Sequence, residues 1–147
     1  MINRIDIEKG RYWDFGLQII DGCTPCSPGC LNCWSASMTH RFNFQYTDCV
    51  GRFNGKITTR PEKLNIPLKR KKPAVYAVWN DLFHEDVPDD FIRNVFWAMQ
   101  NASRHIYLVL TKRPERLREF WRVFSRGSYV DPFLYFGLTV CNQQEAD

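Results

Sequence analysis

Three short apolar runs stand about thirty residues apart: VYAVW at Val75–Trp79, IYLVL at Ile106–Leu110 and LYFGL at Leu134–Leu138. Each is rich in β-branched or aromatic residues and continuous rather than alternating, the pattern of a parallel strand covered on both faces. Between the first two, Phe91, Ile92, Val95, Phe96 and Met99 fall on one stripe of a helix over Asp89–Gln100. Pro88 suits its first turn, and Asp89 and Asp90 suit the positive end of its dipole. Between the second and third runs, Leu117, Phe120, Trp121 and Phe124 mark a helix over Glu115–Phe124, with Pro114 near its start. A strand, a helix and a strand in that length make a βαβ unit. The sequence therefore predicts an α/β fold of parallel strands.

An earlier unit fits the same scheme: a strand over Phe15–Ile20, a cysteine-bearing loop, then a helix over Ser35–Phe42. Residues 43–73 carry no clear period and read as a long connection, with a short strand at Lys56–Thr59. After Leu138 the chain reads TVCNQQEAD and stops, so the helix expected to cover the last strand is missing. An eight-unit barrel usually needs about 250 residues. Residues 1–147 are expected to form a single domain, either an open sheet or, the favoured account, a piece truncated from a longer protein.

The chain is long enough for a real core, and its 44% hydrophobic and 24% charged residues are ordinary for a globular protein. The N-terminal MINRIDIEKGRYWDF is charged and lacks a signal-peptide apolar stretch. No run approaches the roughly 20 apolar residues of a membrane span. A cytoplasmic protein without a membrane partner is the expectation, and in that compartment clustered cysteines serve as ligands rather than disulfides.

Such a cluster is present. Cys23, Cys26, Cys30 and Cys33 fall within GCTPCSPGCLNCW. Thiolates at these spacings can converge on a soft metal or an iron–sulfur cluster. Cys26, Cys30 and Cys33 have the three-thiolate spacing that leaves one iron of a 4Fe-4S cluster without a protein ligand; Cys23, Cys30 and Cys33 do the same with a longer first loop. Two CxxC pairs would also suit a tetrahedral zinc, although only three residues separate them, fewer than in most zinc modules. Cys49 and Cys141 stand apart and read as ordinary packed or surface thiols, and His40 and His105 suggest nothing by themselves.

In parallel α/β folds, chemistry gathers at the carboxyl ends of strands. The cysteine loop follows Ile20. Asn80, Asp81, His84 and Glu85 follow Trp79; Thr111, Lys112 and Arg113 follow Leu110; Thr139 and Asn142 follow Leu138. Strand ends are commonly polar, and Asp81 or Asp86 could simply cap the next helix, but the set shares its predicted rim with the cysteines.

The net charge of +4 is too mild to identify a nucleic-acid partner by itself. Its distribution is uneven. Arg60, Lys63, Lys69, Arg70, Lys71 and Lys72 face only Glu62 across residues 60–72, and a second group comprises Lys112, Arg113, Arg116, Arg118, Arg122 and Arg126. A solvated loop and a solvated helix face account for both more readily than a phosphate-binding surface does.

Four stretches, GCTPCSPGCLNCWSASMTHRF at 22–42, WNDLFHEDVP at 79–88, LTKRPER at 110–116 and FGLTVCNQQEAD at 136–147, carry a resemblance. In this order they resemble the phage- and bacteria-associated three-cysteine-motif family of uncharacterised proteins related to radical S-adenosylmethionine enzymes. That family places its cysteines at the positions of Cys23, Cys30 and Cys33, which makes Cys26 an addition. Trp34 and Ser35 stand where it prefers Tyr and Ala. The resemblance implies a partial (β/α) barrel of parallel strands, truncated at the C-terminus, with a 4Fe-4S cluster near its mouth. S-adenosylmethionine would chelate the open iron, and one electron would cleave its sulfonium bond to give a 5′-deoxyadenosyl radical acting on an unknown substrate. Cys23 or Cys26, with Cys30 and Cys33, would hold the cluster. Asp81 or Glu85 would receive the methionine ammonium, and Lys112 or Arg113 would pair a carboxylate or phosphate; His84 and Thr111 complete the candidate cofactor-binding set. An electron donor would be needed. A zinc-binding nucleic-acid module using residues 60–72, without catalysis, is the alternative, and a chain inactive and partly unfolded alone is a third.

Overall fold

The computed structural model describes residues 10–125 and 131–143. Four parallel strands, β1 (Phe15–Leu17), β4 (Val75–Val78), β5 (Ile106–Thr111) and β6 (Leu134–Leu138), form one sheet in the order β1-β4-β5-β6. Tyr76 stands between Phe15 and Tyr107, and Tyr107 between Tyr76 and Leu134. The predicted strand at Phe15–Ile20 is split. Its second part, β2 (Ile20–Asp21), leaves the sheet and pairs antiparallel with β3 (Thr58–Thr59), the observed form of the strand expected at Lys56–Thr59. Three helices match predicted ones: α1 (Trp34–Phe42), α3 (Asp89–Asn101) and α4 (Pro114–Ser125). The connection at 43–73 also holds a short helix, α2 (Asn65–Lys69), which no sequence period announced.

α3 starts after Pro88, with Asp89 and Asp90 in its first turn, and buries Phe91, Ile92, Val95, Phe96 and Met99. These residues pack on Leu17, Tyr76, Val78, Tyr107, Val109 and Leu134 from the sheet, joined from α4 by Leu117, Phe120, Trp121 and Phe124. Phe96 is the hub. Its ring lies 5.5 Å from that of Phe120, 5.3 Å from Phe124 and 6.0 Å from Phe136.

Both helices lie on that one face. The expectation of strands covered on both faces is corrected here. Burial alternates along β5, and Ile106 and Leu110 on the second face are 39% and 45% exposed. Among the described residues the sheet is open, not closed into a barrel. No described helix is long and apolar enough to cross a membrane.

At the amino end of the sheet, Arg104 donates to the carbonyls of Pro67, Leu68 and Arg70, taking up the unpaired acceptors at the end of α2. His105, fully buried, contacts the Pro67 carbonyl through Nε2 at 3.0 Å. Lys69, Lys71 and Lys72 lie just before β4, so this part of the basic segment sits at the end of the sheet opposite the cysteine loop. Arg126, from the second basic group, lies outside the described residues.

Burial pushes His105 and the equally buried His84 below the ordinary histidine value of 6.5. An unfolded chain therefore binds protons on these rings at a pH where the folded chain does not, and stability falls as pH drops below about 6.5. The urea midpoint is expected to be lower near pH 5.5 than near pH 7.5. His105→Gln, which keeps a donor toward Pro67, should remove part of that slope. Equal midpoints at the two pH values would contradict this account.

Candidate functional site

The loop from Asp21 to Trp34 is delivered by two unusual backbone positions. Gly22 has φ +86° and is buried against the Lys56 carbonyl, with which any Cβ would collide. Only glycine fits both the conformation and the space. Asn80, just past β4, adopts φ +63°, a conformation that costs a non-glycine residue and needs compensation. Its side chain supplies it: Nδ2 donates to the Ile20 carbonyl at 2.8 Å, and Oδ1 accepts from the Ser35 hydroxyl at 2.6 Å. One asparagine thus ties β2 and α1 to the carboxyl end of β4.

Cys23, Cys26, Cys30 and Cys33 all line one cavity of about 150 Å³ at that rim. They are free thiols; Cys26 is exposed and the other three partly buried. Pro28 opens a 3-10 turn over Pro28–Asn32, which carries Cys30, and Cys33 is the N-cap of α1. The Cys26 N–H points at the Cys30 sulfur, 3.5 Å away, and the Ser27 hydroxyl lies 3.7 Å from it. Burial works against the Cys30 thiolate, but these neighbours outweigh it and draw its pKa below the usual thiol value. Cys23 differs. Burial pushes its thiol up to about 12, against the pull of the Arg113 guanidinium, so binding a metal there must displace a proton.

Arg113 is the electrostatic centre of the rim. It reaches the Asp81 carboxylate at 2.9 Å and Glu85 at 2.6 Å, donates to the Thr24 carbonyl at 3.1 Å, and lies 3.9 Å from the Cys23 sulfur. Burial opposes its charge, but the Glu85 hydrogen bond and the Asp81 charge raise its pKa further. Asp81 is engaged on both oxygens: Oδ1 accepts from Thr111 and the Phe83 N–H, Oδ2 from Arg113 and the Lys112 N–H. It joins β4 to β5 and caps no helix.

Of the six candidate cofactor-binding residues, Asp81, Thr111, Lys112 and Arg113 line the cavity, whereas His84 and Glu85 do not. His84 is buried behind the loop. Its Nδ1 accepts from the Asp86 N–H at 3.1 Å and its Nε2 meets the Thr24 hydroxyl at 2.9 Å, which sets a neutral ring with the proton on Nε2. Glu85 stands outside with 60% of its side chain exposed, its carboxyl held down at about 2 by the hydrogen bond from Arg113. Thr139 reaches the cavity as expected from its strand end.

Some neighbours carried no sequence signal. Trp34 and Trp79 meet edge to face at 5.5 Å and form an apolar wall with Leu110. Cys141, distant in sequence, lies against Gly29, and the Lys112 ammonium reaches its sulfur at 3.3 Å. Among the described residues, no group of three or more His, Cys, Asp or Glu side chains stands ready to hold a single metal ion. The four thiols share a cavity without converging on a point.

The family described as "Protein of unknown function (DUF5131)" matches residues 9–147. No curated protein and no solved structure matches the chain.

Proposed function

The chain belongs to the DUF5131 family, and we propose that it is an iron–sulfur protein of the radical S-adenosylmethionine type, its cluster held in the cysteine cavity at the mouth of a partial (β/α) barrel. The observation that carries this reading is the gathering of all four thiols in one cavity at the carboxyl rim of the sheet, beside Lys112 and Arg113. The winding supports it. Strand order follows chain order and the two crossover helices share one face, as in a segment of a (β/α) barrel; a doubly wound sheet reverses direction.

The donor chemistry fits, since soft thiolates suit iron–sulfur clusters. Their spacing favours a cluster over zinc. A zinc ion draws its ligands to a single point, whereas a four-iron cluster places each thiolate on its own iron. Cys23, Cys30 and Cys33 would hold it, with exposed Cys26 supporting Cys30 through its N–H. When bound, the cluster supplies the electron for reductive cleavage of S-adenosylmethionine.

The chain's own residues do the rest. Arg113 offsets charge at Cys23 and, being already paired with Asp81 and Glu85, leaves Lys112 as the cavity cation for a carboxylate or phosphate. Asp81, engaged on both oxygens, holds Arg113 rather than an incoming ammonium. Trp34, Trp79 and Leu110 give the cavity one apolar wall.

Anaerobic reconstitution with iron and sulfide tests the reading. We expect a brown protein with about four irons per chain and an EPR change on adding S-adenosylmethionine. A colourless protein with one zinc per chain would instead favour the non-catalytic zinc module, and failure to bind any metal would overturn both.

A further inference from the structure

α1 is an anomalous helix. Only Ala36 is buried, while Trp34, Met38 and Phe42, four residues apart along one face, are 56%, 39% and 79% exposed, and Phe44 beyond its end is 66% exposed. Surfaces seldom leave such a stripe uncovered without a partner. Beneath it runs a second cavity of about 100 Å³, walled by Trp34, Met38, Phe42, Tyr46 and Trp79, with Gln18 and the Asp21 carboxylate, already neutralised by Arg60, on its polar side. Trp34, Ser35, Trp79 and Asn80 belong to both cavities, so the groove abuts the cysteine site.

The charge of this region narrows the partner. Between Trp34 and Arg60 the only acidic residue is Asp48, against Arg41, Arg52, Lys56 and Arg60. Arg41 and Arg52 make no ion pair among the described residues, and Lys56 lies over the Tyr46 ring at 5.4 Å. Arg60 is held by the buried Asp21 carboxylate at 2.6 Å and contributes less. Exposed flat rings carried on the same segment as cations that no carboxylate neutralises suit a single-stranded nucleic acid: bases stack on the rings in any sequence, and phosphates meet the cations, Lys56 among them although it also donates to Gln45. A protein partner would match the charge only with an acidic face, whereas a nucleic-acid strand brings a phosphate with every base that stacks.

We propose that this groove binds single-stranded nucleic acid and leads it across Trp34 to the cysteine cavity. The binding surface stands on its own geometry; the role of the strand as substrate rests on the cluster reading above. Lys69, Lys71 and Lys72, at the opposite end of the sheet, are not part of the track.

The experiment is fluorescence anisotropy of the full chain with labelled oligo(dT) and oligo(rU) of about twelve nucleotides and a duplex of equal length. Three unneutralised cations predict a slope of log affinity against log salt of about −2 for a single strand. Phe42→Ala, a change at an exposed position, should weaken binding about tenfold through lost stacking, and Arg41→Ala with Arg52→Ala should flatten the salt slope to about −0.7. The tighter of the two single strands identifies the sugar. No binding at low salt, or duplex binding equal to single-strand binding with no effect of Phe42→Ala, would overturn the proposal. Iron content of the same samples separates the two readings. Oligonucleotide binding by protein that cannot load iron supports this inference and removes the cluster; a loaded protein that ignores oligonucleotides does the reverse.

Discussion

Asp81→Ala is expected to cost about 3–5 kcal/mol of folding stability, the usual effect of removing one partner from a buried ion pair. The Asp81 and Arg113 side chains are only 9% and 11% exposed. Without the carboxylate, Arg113 keeps the Thr24 carbonyl and, as its one remaining charged partner among the described residues, Glu85, which lies largely in solvent. The Thr111 hydroxyl and the Phe83 and Lys112 N–H groups lose their acceptor in the same step, and unsatisfied buried donors add to the penalty. Asp81→Asn preserves shape and part of the acceptor capacity and should cost roughly half as much. Urea unfolding of the metal-free protein measures both. If Asp81→Ala lay within about 1 kcal/mol of the parent, the rim would have to be held chiefly by its backbone.

The second large effect concerns the thiols taken one at a time. Cys23→Ala, Cys30→Ala and Cys33→Ala are each expected to reduce iron from about four per chain to nearly none after reconstitution, whereas Cys26→Ala should load almost normally. Cys30 receives the Cys26 N–H, which alanine at 26 leaves in place. Cys23 sits under Arg113 and, with Cys33, packs against the small cluster of Ala36, Tyr46 and Phe53; Cys26 is exposed. Far-ultraviolet circular dichroism should be unchanged in all four, because the large core around Phe96 contains none of these residues. Retained iron in Cys23→Ala with loss in Cys26→Ala would reverse the assignment. A full cluster in Cys30→Ala would falsify the ligand set.

Much of this architecture is local in origin and was therefore legible. The runs at Val75, Ile106 and Leu134 and the stripe of α3 depend on the period of side chains along one segment, which the sequence states directly. The break after Leu17 was not legible, because β2 exists only through pairing with β3, in which Ile20 meets Thr59, thirty-nine residues further along. Nor was the exposed second face of the sheet. Continuous apolar runs record that both faces are apolar, not what covers them. The cysteine cavity was legible from spacing. The ranking of the residues around it was not: His84 and Glu85 stand at the expected strand end but point away from the cavity, while Trp34, Trp79 and Asn80 form its walls.

By itself, then, the sequence determined the alternation of strands and helices, the rim on which polar groups gather, and the four-thiol loop, since each follows from chemistry along a short stretch of chain. Only the tertiary structure decided which of those groups remain available. Asp81 is taken up by Thr111 and Arg113 from the next strand's end, His84 by Thr24 from the loop, and Arg113 by two carboxylates, leaving at the cavity the thiols and Lys112, whose ammonium meets the Cys141 sulfur but no carboxylate among the described residues. Burial and hydrogen-bond partnership are set by residues distant in sequence, and they determine whether a polar side chain holds the fold together or meets a ligand.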